Sequence, residues 1–446
     1  MENQESKLPH KIRVLHLIKS LGRGGAEKLI PETALVHDQS RFEFYCLYFY
    51  HQENNIVEEL ENTGIKVHLI PSTNLGLYLQ VSKVREFIRS NGIDIIHAHL
   101  PWAGILARAV GKNLPIPIVY TEHNTWERYN LITYWGNRLS FKKQDIAIAV
   151  SNEVALSMRL NSIWDPYQRG GRMKVKVIQN GVNTEVFKRV ASSKYQVAST
   201  AQDGRREMED GRSETKETSD QGSEISLKSA LDSGQNKETE LGDVFLRKKL
   251  GIPEGAPVIG KVAVFRSQKR LWLWVEVALE ILKEYPETHF LLVGDGEWRD
   301  RIVQQIEASG KTGNFHLVGV QKKVIPYLSL MDIYLSTSEF EGLPIAMLEA
   351  MSCEVAVVAT TAGGIAEVVQ HGYQGYLTEI DRWPDLAGHC IDLIKNPELQ
   401  QKMAKAARER VSEGFSMTRM VRELEETYYE VTSSQFDCRG ISPTSR

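Results

Sequence analysis

Short runs of β-branched and other apolar residues alternate along most of the chain with segments whose apolar residues recur at helical spacing. This rhythm predicts mostly parallel β-sheets that are covered by helices on both faces. In the first half, a Gly-rich turn and a helix from about Ala26 follow the first predicted strand. The strands predicted there are Ile12–Ile18, Phe42–Phe49, Lys66–Ile70, Ile93–His97, Ile116–Thr121, Ile146–Val150 and Val175–Ile178.

The rhythm stops near Lys188 and resumes near Phe245. Between them, Val190–Asp243 is rich in Ser, Thr, Glu, Asp, Gln and Gly, and its only aromatic residue is Tyr195. Such a segment buries too little apolar surface to offset the entropy of ordering it, so we predict a disordered insertion.

A second series of strands and helices follows the insertion. The predicted strands are Val258–Phe265, His289–Val293, Phe315–Val318, Ile333–Ser336, Val355–Ala359 and Gly375–Thr378. The predicted helices are Leu271–Glu284, Trp298–Gly310, Val324–Met331, Pro344–Met351, Gly364–His371, Trp383–Asn396, Pro397–Glu413 and Met417–Thr432.

The chain has 446 residues, and single hydrophobic cores stop growing near about 250–300 residues, so two domains are expected. We predict an α/β fold of two doubly wound, Rossmann-like domains that face each other across a cleft. Such sheets bind ligands at the carboxyl ends of their strands, which would line that cleft. The predicted divisions are an N-terminal domain at 1–188, the insertion at 189–244, a C-terminal domain at 245–415, and a helix able to cross back to the N-terminal domain, with a tail, at 416–446.

Composition narrows the classes of function. The net charge is −3, so the basic excess typical of nucleic-acid-binding proteins is missing and no nucleic-acid partner is expected. Four scattered cysteines offer no metal-ligand spacing. The sequence contains neither a signal-peptide run at its start nor an apolar stretch of about 18 residues. We therefore expect a cytoplasmic protein, peripheral at most to the inner face of the membrane.

The segment S-E-F-E-G-L-P-I-A-M-L-E-A, at Ser338–Ala350, carries the most chemical information. Its carboxylates Glu341 and Glu349 are eight residues apart. Gly342 and Pro344 mark a helix start, because Pro suits the first helical turn. Glu341 would then lie in the loop and Glu349 two turns inside, near a helix end that attracts a nucleotide phosphate. The alternative is a capping Glu followed by a solvent-facing helical Glu.

The same segment, written E-F-E-G-L-P-x-x-x-L-E-A-M, resembles glycosyltransferase family 4. Other motifs in the family's order extend the resemblance over nearly everything except the insertion and the two tails. They are Gly24–Glu27, Asp94–His99, Thr121–Asn124, Val150–Asn152, Ile178–Asn183, Leu292–Gly296 and Ala362–Val369. The resemblance implies the GT-B fold and a retaining transfer of a hexosyl group from a UDP- or GDP-linked sugar, without a metal or cofactor.

The resemblance also assigns residues to a donor site. Glu341 would contact the transferred sugar and Glu349 the donor ribose. The backbone amides of Gly24 and Gly25 would approach the donor phosphate, since glycine permits close approach and a helix begins there. The remaining residues assigned to this site are Gly294, Gly342 and Leu343. A tight turn is the alternative explanation for the glycines.

Histidines at strand ends are the next candidates. His99 matches a family histidine that contacts the donor sugar. His97 lies two residues earlier and points the same way on a strand, so one of the two is expected to be a packed core residue; we favour His99 as the functional one. His123, at another strand end, would line the cleft wall together with Trp126 on the acceptor side.

The diphosphate leaving group needs positive charge, which side chains and amides must supply when no metal does. Lys269 matches the family's lysine, but Val264 occupies the place of its arginine, and we expect Arg266 to substitute. The leaving phosphate oxygen would help to remove the acceptor proton, with retention of the anomeric configuration. The catalytic candidates are His99, Arg266, Lys269 and Glu341.

The acceptor, a glycan, a lipid-linked molecule or a small molecule, is expected on the N-terminal domain. There Trp126–Lys143 mixes aromatic and basic residues. This pattern suits contact with an anionic membrane, or a helix that packs its aromatic residues into the domain, and we favour packing.

Three other classes of protein are considered. The E-F-E-G segment argues against a nucleotide-sugar 2-epimerase. A non-catalytic subunit that only binds the nucleotide sugar is supported by Val264 alone. A Rossmann dehydrogenase is excluded because L-G-R-G-G-A-E, rather than G-x-G-x-x-G, follows the first strand.

Overall fold

The computed structural model describes residues 11–73, 76–112, 114–159, 165, 173–190 and 244–439. Residues 191–243, which make up nearly all of the insertion predicted at 189–244, lie outside this part of the chain.

The N-terminal domain is a parallel seven-stranded sheet in the order β3-β2-β1-β4-β5-β6-β7. Its strands are β1 Ile12–Leu17, β2 Phe42–Tyr48, β3 Lys66–Leu69, β4 Ile95–His99, β5 Ile118–Glu122, β6 Ile146–Ala149 and β7 Lys174–Val177. Its helices are α1 Gly25–Ala34, α2 Val57–Asn62, α3 Val81–Asn91, α4 Leu100–Gly111, α5 Leu131–Ser140 and α6 Asn152–Ser157. The central strands β4, β5 and β6 are buried along their whole length. β6 is an unbroken apolar run, as burial on both sheet faces favours, whereas β4 and β5 also contain buried polar residues.

The C-terminal domain is a parallel six-stranded sheet in the order β10-β9-β8-β11-β12-β13. Its strands are β8 Val258–Val262, β9 His289–Val293, β10 Phe315–Leu317, β11 Ile333–Ser336, β12 Ala356–Thr360 and β13 Gly375–Thr378. A helical stretch at 244–250 precedes β8. The later helices are α7 Leu271–Glu284, α8 Arg299–Ala308, α9 Ile325–Leu330, α10 Ile345–Ser352, α11 Ile365–Val368, α12 Asp385–Lys395, α13 Pro397–Gly414 and α14 Met417–Arg439.

The last helix, α14, packs against the N-terminal domain. The carboxylate of Glu425 lies 2.9 Å from Nδ1 of His37, and the hydroxyl of Tyr428 lies 2.7 Å from Nδ1 of His97 in β4. The two sheets each reverse their strand order next to their first strand, at β1/β4 and at β8/β11. Ligands of doubly wound sheets bind at such switch points. Every helix in the described part of the chain is too short or too polar to span a bilayer.

Several predicted element boundaries were wrong. The fourth strand begins at Ile95 rather than Ile93, because the amide of Ile93 donates to Ile88 O (3.0 Å) and so belongs to the end of α3. The strand therefore runs on to His99. The eighth strand ends at Val262 rather than Phe265, whose amide instead donates to Asp295 O in the neighbouring loop.

Candidate functional site

The carboxyl ends of the two sheets meet in one cleft. Loops after β1, β4 and β5 come from the N-terminal domain, and loops after β8 and β11 come from the C-terminal domain. Most of the residues assigned from sequence lie on these loops or on the helices that follow them, so the fold brings them to the same cleft.

Glu341 and Lys269 form an ion pair in this cleft. The Lys269 ammonium lies 2.7 Å from each Glu341 carboxylate oxygen, and the Glu341 side chain is buried. Burial acts to raise the pKa of Glu341, but the ammonium groups of Lys269 and Lys261 outweigh it and lower that pKa. Glu341 is therefore an anion at neutral pH, held ready to accept hydrogen bonds.

The loop that carries Glu341 is fixed from both domains. The amide of Gly364 donates to Gly342 O at 2.8 Å, and the side-chain amide of Asn180 in the N-terminal domain donates to Leu343 O at 2.9 Å. A Cβ on Gly342 would lie only 2.1 Å from His123 O, so only glycine allows this close approach of the two domains. Gly342 and Leu343 thus shape the loop through their backbone.

Glu349 lies behind this loop, on α10. It is the fifth residue of that helix, so the expectation that it lies two turns inside was wrong: it is just over one turn from the start. Its side chain is 2% exposed, and its carboxylate accepts no hydrogen bond from any side chain or amide within the described ranges. Burial raises the pKa of Glu349, opposed by the nearby Lys28 of α1. A buried, unsatisfied carboxylate is suited to accept hydroxyl hydrogen bonds from a ligand.

Helix α1 approaches Glu349 from the opposite domain. A Cβ on Gly25 would touch Ile345 of α10 at 3.4 Å. Glu32 also faces this boundary, since burial and the charge of Glu349 raise the pKa of Glu32 to about 8. Its Oε2 is buried without a hydrogen-bond partner. The contact between α1 and α10 therefore brings two carboxylates of opposite domains together.

The glycine pair at the start of α1 also faces the cleft. Gly24 is the residue that caps α1, and a Cβ there would lie 2.3 Å from Oε2 of Glu27. Glu27 thus fills the space beside Gly24. Burial raises the pKa of Glu27, and the guanidinium group of Arg266 in the C-terminal domain partly offsets this increase. Arg266, itself exposed, is therefore close enough to the start of α1 for its charge to act on Glu27.

The backbone conformation at position 294 requires a glycine. Its φ is +129°, and a Cβ there would lie 1.9 Å from Ala263 O. The loops after β8 and β9 pass so closely that only glycine fits, which is the tight-turn alternative raised by the sequence.

Four histidines cluster in the N-terminal domain at the base of the cleft. His97 is satisfied on both nitrogens, 2.7 Å from the hydroxyls of Tyr428 and Thr121. His99 bonds His16 through Nε2, at 3.0 Å, while its Nδ1 is buried without a partner. His97 is therefore the packed histidine and His99 the one with a free nitrogen.

His123 resembles His99 in having an unpartnered buried nitrogen, Nε2. Both side chains line a cavity of about 20 Å³, which has room for roughly one water molecule. Burial lowers the pKa of His123 to about 4 and holds the pKa of His99 well below its usual value. Both are thus neutral at pH 7 and offer one donor and one acceptor each.

By distance alone, His16, His97 and His99 could hold a metal ion, because one nitrogen from each lies within 4.8 Å of the others. Their hydrogen bonds argue otherwise. Both nitrogens of His97 have hydroxyl partners, and His16 and His99 bond each other. The cluster is better explained as a hydrogen-bonded core.

The acceptor-side segment is anchored by Glu122, which sequence inspection missed. This fully buried carboxylate accepts hydrogen bonds from Tyr120 Oη (2.7 Å), Trp126 Nε1 (3.1 Å), the hydroxyl of Tyr129 and the amide of His123 (3.0 Å). Trp126 is only 1% exposed. The signal in the sequence was an acidic residue at the end of a buried strand, which must find donors.

The helix that follows, α5, exposes apolar side chains to solvent. Phe141, just after α5, is buried in the core, as the packing interpretation requires. On α5 itself, however, Leu131 is 76% and Ile132 71% exposed, and Trp135 and Leu139 are about half exposed. One part of Trp126–Lys143 thus packs inward and another presents apolar side chains to solvent.

Comparison with protein families gives two matches. Residues 23–186 match the model described as Glycosyltransferase Family 4, and residues 244–410 match the model described as Glycosyl transferases group 1. Together these regions make up about three quarters of the chain.

Individual proteins are similar too. N-acetyl-alpha-D-glucosaminyl L-malate synthase of Bacillus anthracis is 36% identical over 186 residues, which are 42% of this chain and 49% of that protein. The chain thus aligns with about half the length of this relative. Putative glycosyltransferase EpsD of Bacillus subtilis is 23% identical over 83% of this chain and 85% of its own. Among solved structures, Anabaena HepE in complex with UDP-glucose has a TM-score of 0.73 at 21% identity and covers 94% of this chain and 100% of its own.

Proposed function

Because the chain belongs to the family 4 glycosyltransferases of GT-B fold, we propose that it transfers a hexosyl group from a UDP- or GDP-linked sugar to an acceptor hydroxyl. We propose further that the reaction retains the anomeric configuration and needs no metal ion. Names of relatives support the first part: similar proteins are described as transferases of N-acetylglucosaminyl, kanosaminyl or galactosyl groups.

The observation that carries this proposal is the Glu341–Lys269 pair beside the unsatisfied Glu349. Glu341 accepts two hydrogen bonds from one ammonium group, which fixes its position for contact with the sugar. Glu349 has no hydrogen bond within the described residues, and a ribose hydroxyl would satisfy it. An ammonium group has three N–H donors, so Lys269 keeps one for a diphosphate oxygen.

In this mechanism, departure of the nucleoside diphosphate breaks the bond between the anomeric carbon and the phosphate oxygen. Lys269, Arg266 and the amides at Gly24 and Gly25 stabilise the charge that develops on the diphosphate. The acceptor hydroxyl attacks from the face that the diphosphate leaves, and the departing phosphate oxygen takes its proton. His99, through its unpartnered Nδ1, would bond a sugar hydroxyl.

The test is incubation of the full chain with UDP-glucose, UDP-galactose, UDP-N-acetylglucosamine and GDP-mannose in the presence of EDTA. Release of nucleotide is followed, and proton NMR within minutes records the anomer of the first free sugar. We expect release from one donor that EDTA does not change, with the donor's anomeric configuration kept in the product. Loss of activity with EDTA would refute the metal-free mechanism, and inversion would refute retention.

For the acceptor we propose a lipid-linked molecule at an anionic membrane surface, because α5 exposes apolar side chains next to the exposed Lys142 and Lys143. The non-catalytic alternative is favoured by one feature, Val264 at the place of the family's arginine. A chain that binds a nucleotide sugar but releases no nucleotide from it, with or without acceptor lipids, would support that alternative.

A further inference from the structure

Lys261 is a buried lysine that the mechanism above does not use. It lies in β8, and its exposure is only 1%. Lysine is almost never fully buried unless its ammonium group is paired, since removal of a charge from water is costly. Its surroundings should therefore show what it does.

The partners of Lys261 lead directly to Glu341. Its Nζ lies 2.6 Å from Ser336 Oγ and 3.2 Å from Ser338 Oγ. Ser338 Oγ in turn donates to Glu341 Oε1 at 2.7 Å. A continuous hydrogen-bonded path thus connects the lysine to the carboxylate that faces the sugar.

The direction of this path follows from the chemistry of its groups. A carboxylate only accepts and an ammonium group only donates, whereas a serine hydroxyl does both. Ser338 therefore gives its single proton to Glu341 and accepts from Lys261. A hydroxyl that accepts from a cation becomes a stronger donor, so Lys261 strengthens the Ser338–Glu341 bond.

The path also resists rotation of Ser338. Its backbone carbonyl accepts a hydrogen bond from Thr360 Oγ1 at 2.5 Å, and Ser338 itself is fully buried. Glu341 is thus held on one oxygen by Ser338 and Lys269 together, and on the other by Lys269. One carboxylate is thus restrained by Lys269 directly and by Lys261, a residue of β8, through Ser338.

We propose that Lys261 is a positioning residue of the donor site, which acts through Ser338 to hold the Glu341 carboxylate in the orientation that contacts the transferred sugar. This inference rests on the proposed function. Burial lowers the pKa of Lys261 to about 7, and the charge of Glu341 opposes this decrease, so the carboxylate favours the charged form of the lysine.

The experiment separates sugar recognition from nucleotide recognition. Calorimetry measures the dissociation constants of UDP-glucose and UDP, or of whichever nucleotide sugar and nucleotide the wild-type chain binds. The dissociation constant of the nucleotide sugar is divided by that of the nucleotide, and this ratio is compared between variants. Lys261→Met keeps the length of the side chain and removes its charge and donors. Arg247→Met is the matched control, because Arg247 is a buried cation of the same domain whose guanidinium bonds the carbonyls of Pro253 and Ala256 instead.

In Lys261→Met we expect the dissociation constant of the nucleotide sugar to rise at least fivefold relative to that of the nucleotide. The dissociation constant of the nucleotide itself should stay within twofold of the wild-type value. Ser338→Ala should do the same, and the double variant should be no worse than the poorer single one, because both changes break one path. Arg247→Met should lower thermal stability and leave the ratio unchanged. An unchanged ratio in Lys261→Met, or single effects that multiply in the double variant, would overturn the inference.

A variant that fails to fold does not end the test. Ser336→Ala removes the shortest contact of Lys261 and leaves Ser338 and Glu341 in place. The ratio of dissociation constants should therefore rise in this variant as well. An unchanged ratio would again overturn the inference. If the wild-type chain binds no nucleotide at all, the proposed function fails and this inference fails with it. If the variants bind both ligands with an unaltered ratio, the positioning role of Lys261 is refuted and the proposed function stands.

Discussion

The ammonium nitrogen of Lys269 lies 2.7 Å from both carboxylate oxygens of Glu341, across 72 residues of sequence. The loop of Lys269 is itself fixed, because Thr337 Oγ1 bonds the carbonyls of Lys269 and Arg270 at 3.1 and 3.0 Å. This ion pair joins the two residues to which the proposed mechanism gives the diphosphate and sugar contacts.

Replacement of Lys269 by methionine should reduce nucleotide release from the donor at least 100-fold. The change removes positive charge from the diphosphate and leaves Glu341 buried without its cation. Breaking a buried ion pair from one side costs about 3–5 kcal/mol, so urea unfolding should also show a lower free energy of unfolding. Lys283→Met, which breaks an exposed pair with Glu280, is the control and should change neither quantity by much. Full activity in Lys269→Met would contradict the assigned role.

Arg266 is expected to supply the charge that Val264 does not. Arg266→Ala should weaken UDP binding roughly tenfold, which is about 1.4 kcal/mol. Val264→Arg in the Arg266→Ala background should restore part of this loss, since it places a guanidinium at the family's position. Calorimetric titration of the three variants checks both statements. The control is Lys322→Ala, which removes an exposed lysine of the same domain. If Lys322→Ala lowered the affinity for UDP as much as Arg266→Ala, the effect of Arg266 would be one of non-specific charge.

The carboxylates of Glu32 and Glu349 should make stability depend on pH. The folded-state pKa of Glu32 is raised to about 8, so its contribution to stability is fully present below the usual carboxyl pKa and is lost as the pH rises through about 8. Glu32→Gln should therefore flatten the decline of Tm over that window. At pH 8.5 it should raise Tm by roughly 2–4 °C, equivalent to about 1 kcal/mol.

Thermal scans from pH 4.5 to 9 measure this effect. Glu280→Gln changes an exposed carboxylate of the C-terminal domain and is the control. Parallel Tm curves for Glu32→Gln and the wild type would show that Glu32 is ionised freely in the folded protein, which would contradict its burial against Glu349.

The exposed apolar residues of α5 predict binding to anionic membranes. Flotation with vesicles containing phosphatidylglycerol should recover the full chain, and the bound fraction should fall with salt, because each basic residue near the surface contributes about 1 kcal/mol. The double change Leu131→Ser with Ile132→Ser should reduce binding. Leu35→Ser alters another exposed apolar residue and should not. A wild-type chain that stays unbound at low salt would refute the membrane-linked acceptor.

Much of the fold could be predicted because burial on both sheet faces imposes nearly continuous apolar runs, as in β6 and β12. Strand ends were harder. Ile93 is as apolar as a strand residue, yet its amide completes the end of α3, a competition between helix and strand that apolar pattern alone does not resolve.

Some residues of the candidate site could likewise be predicted from the sequence, and others could not. Glu341 and Glu349 were predicted from motif spacing, which reports local chemistry, and Lys269 from the resemblance to the family. Glu32 was missed because its importance arises only where α1 meets α10 from the other domain, a contact that no local pattern contains. Lys261 had a local signal, a lysine inside an apolar strand, and only the structure shows that its partners are Ser336 and Ser338.

The most direct test of the central claim is the thermal stability of the full chain with UDP, GDP or ADP, each with and without EDTA. A ligand at 100 times its Kd adds about 2.7 kcal/mol, so we predict a rise in Tm of at least about 5 °C with UDP or GDP. EDTA should not change the rise, Glu349→Ala should abolish it, and the exposed control Glu280→Ala should keep it. No rise with any of the three nucleotides, or a rise that EDTA removes, would contradict a metal-free nucleotide-sugar site in this cleft.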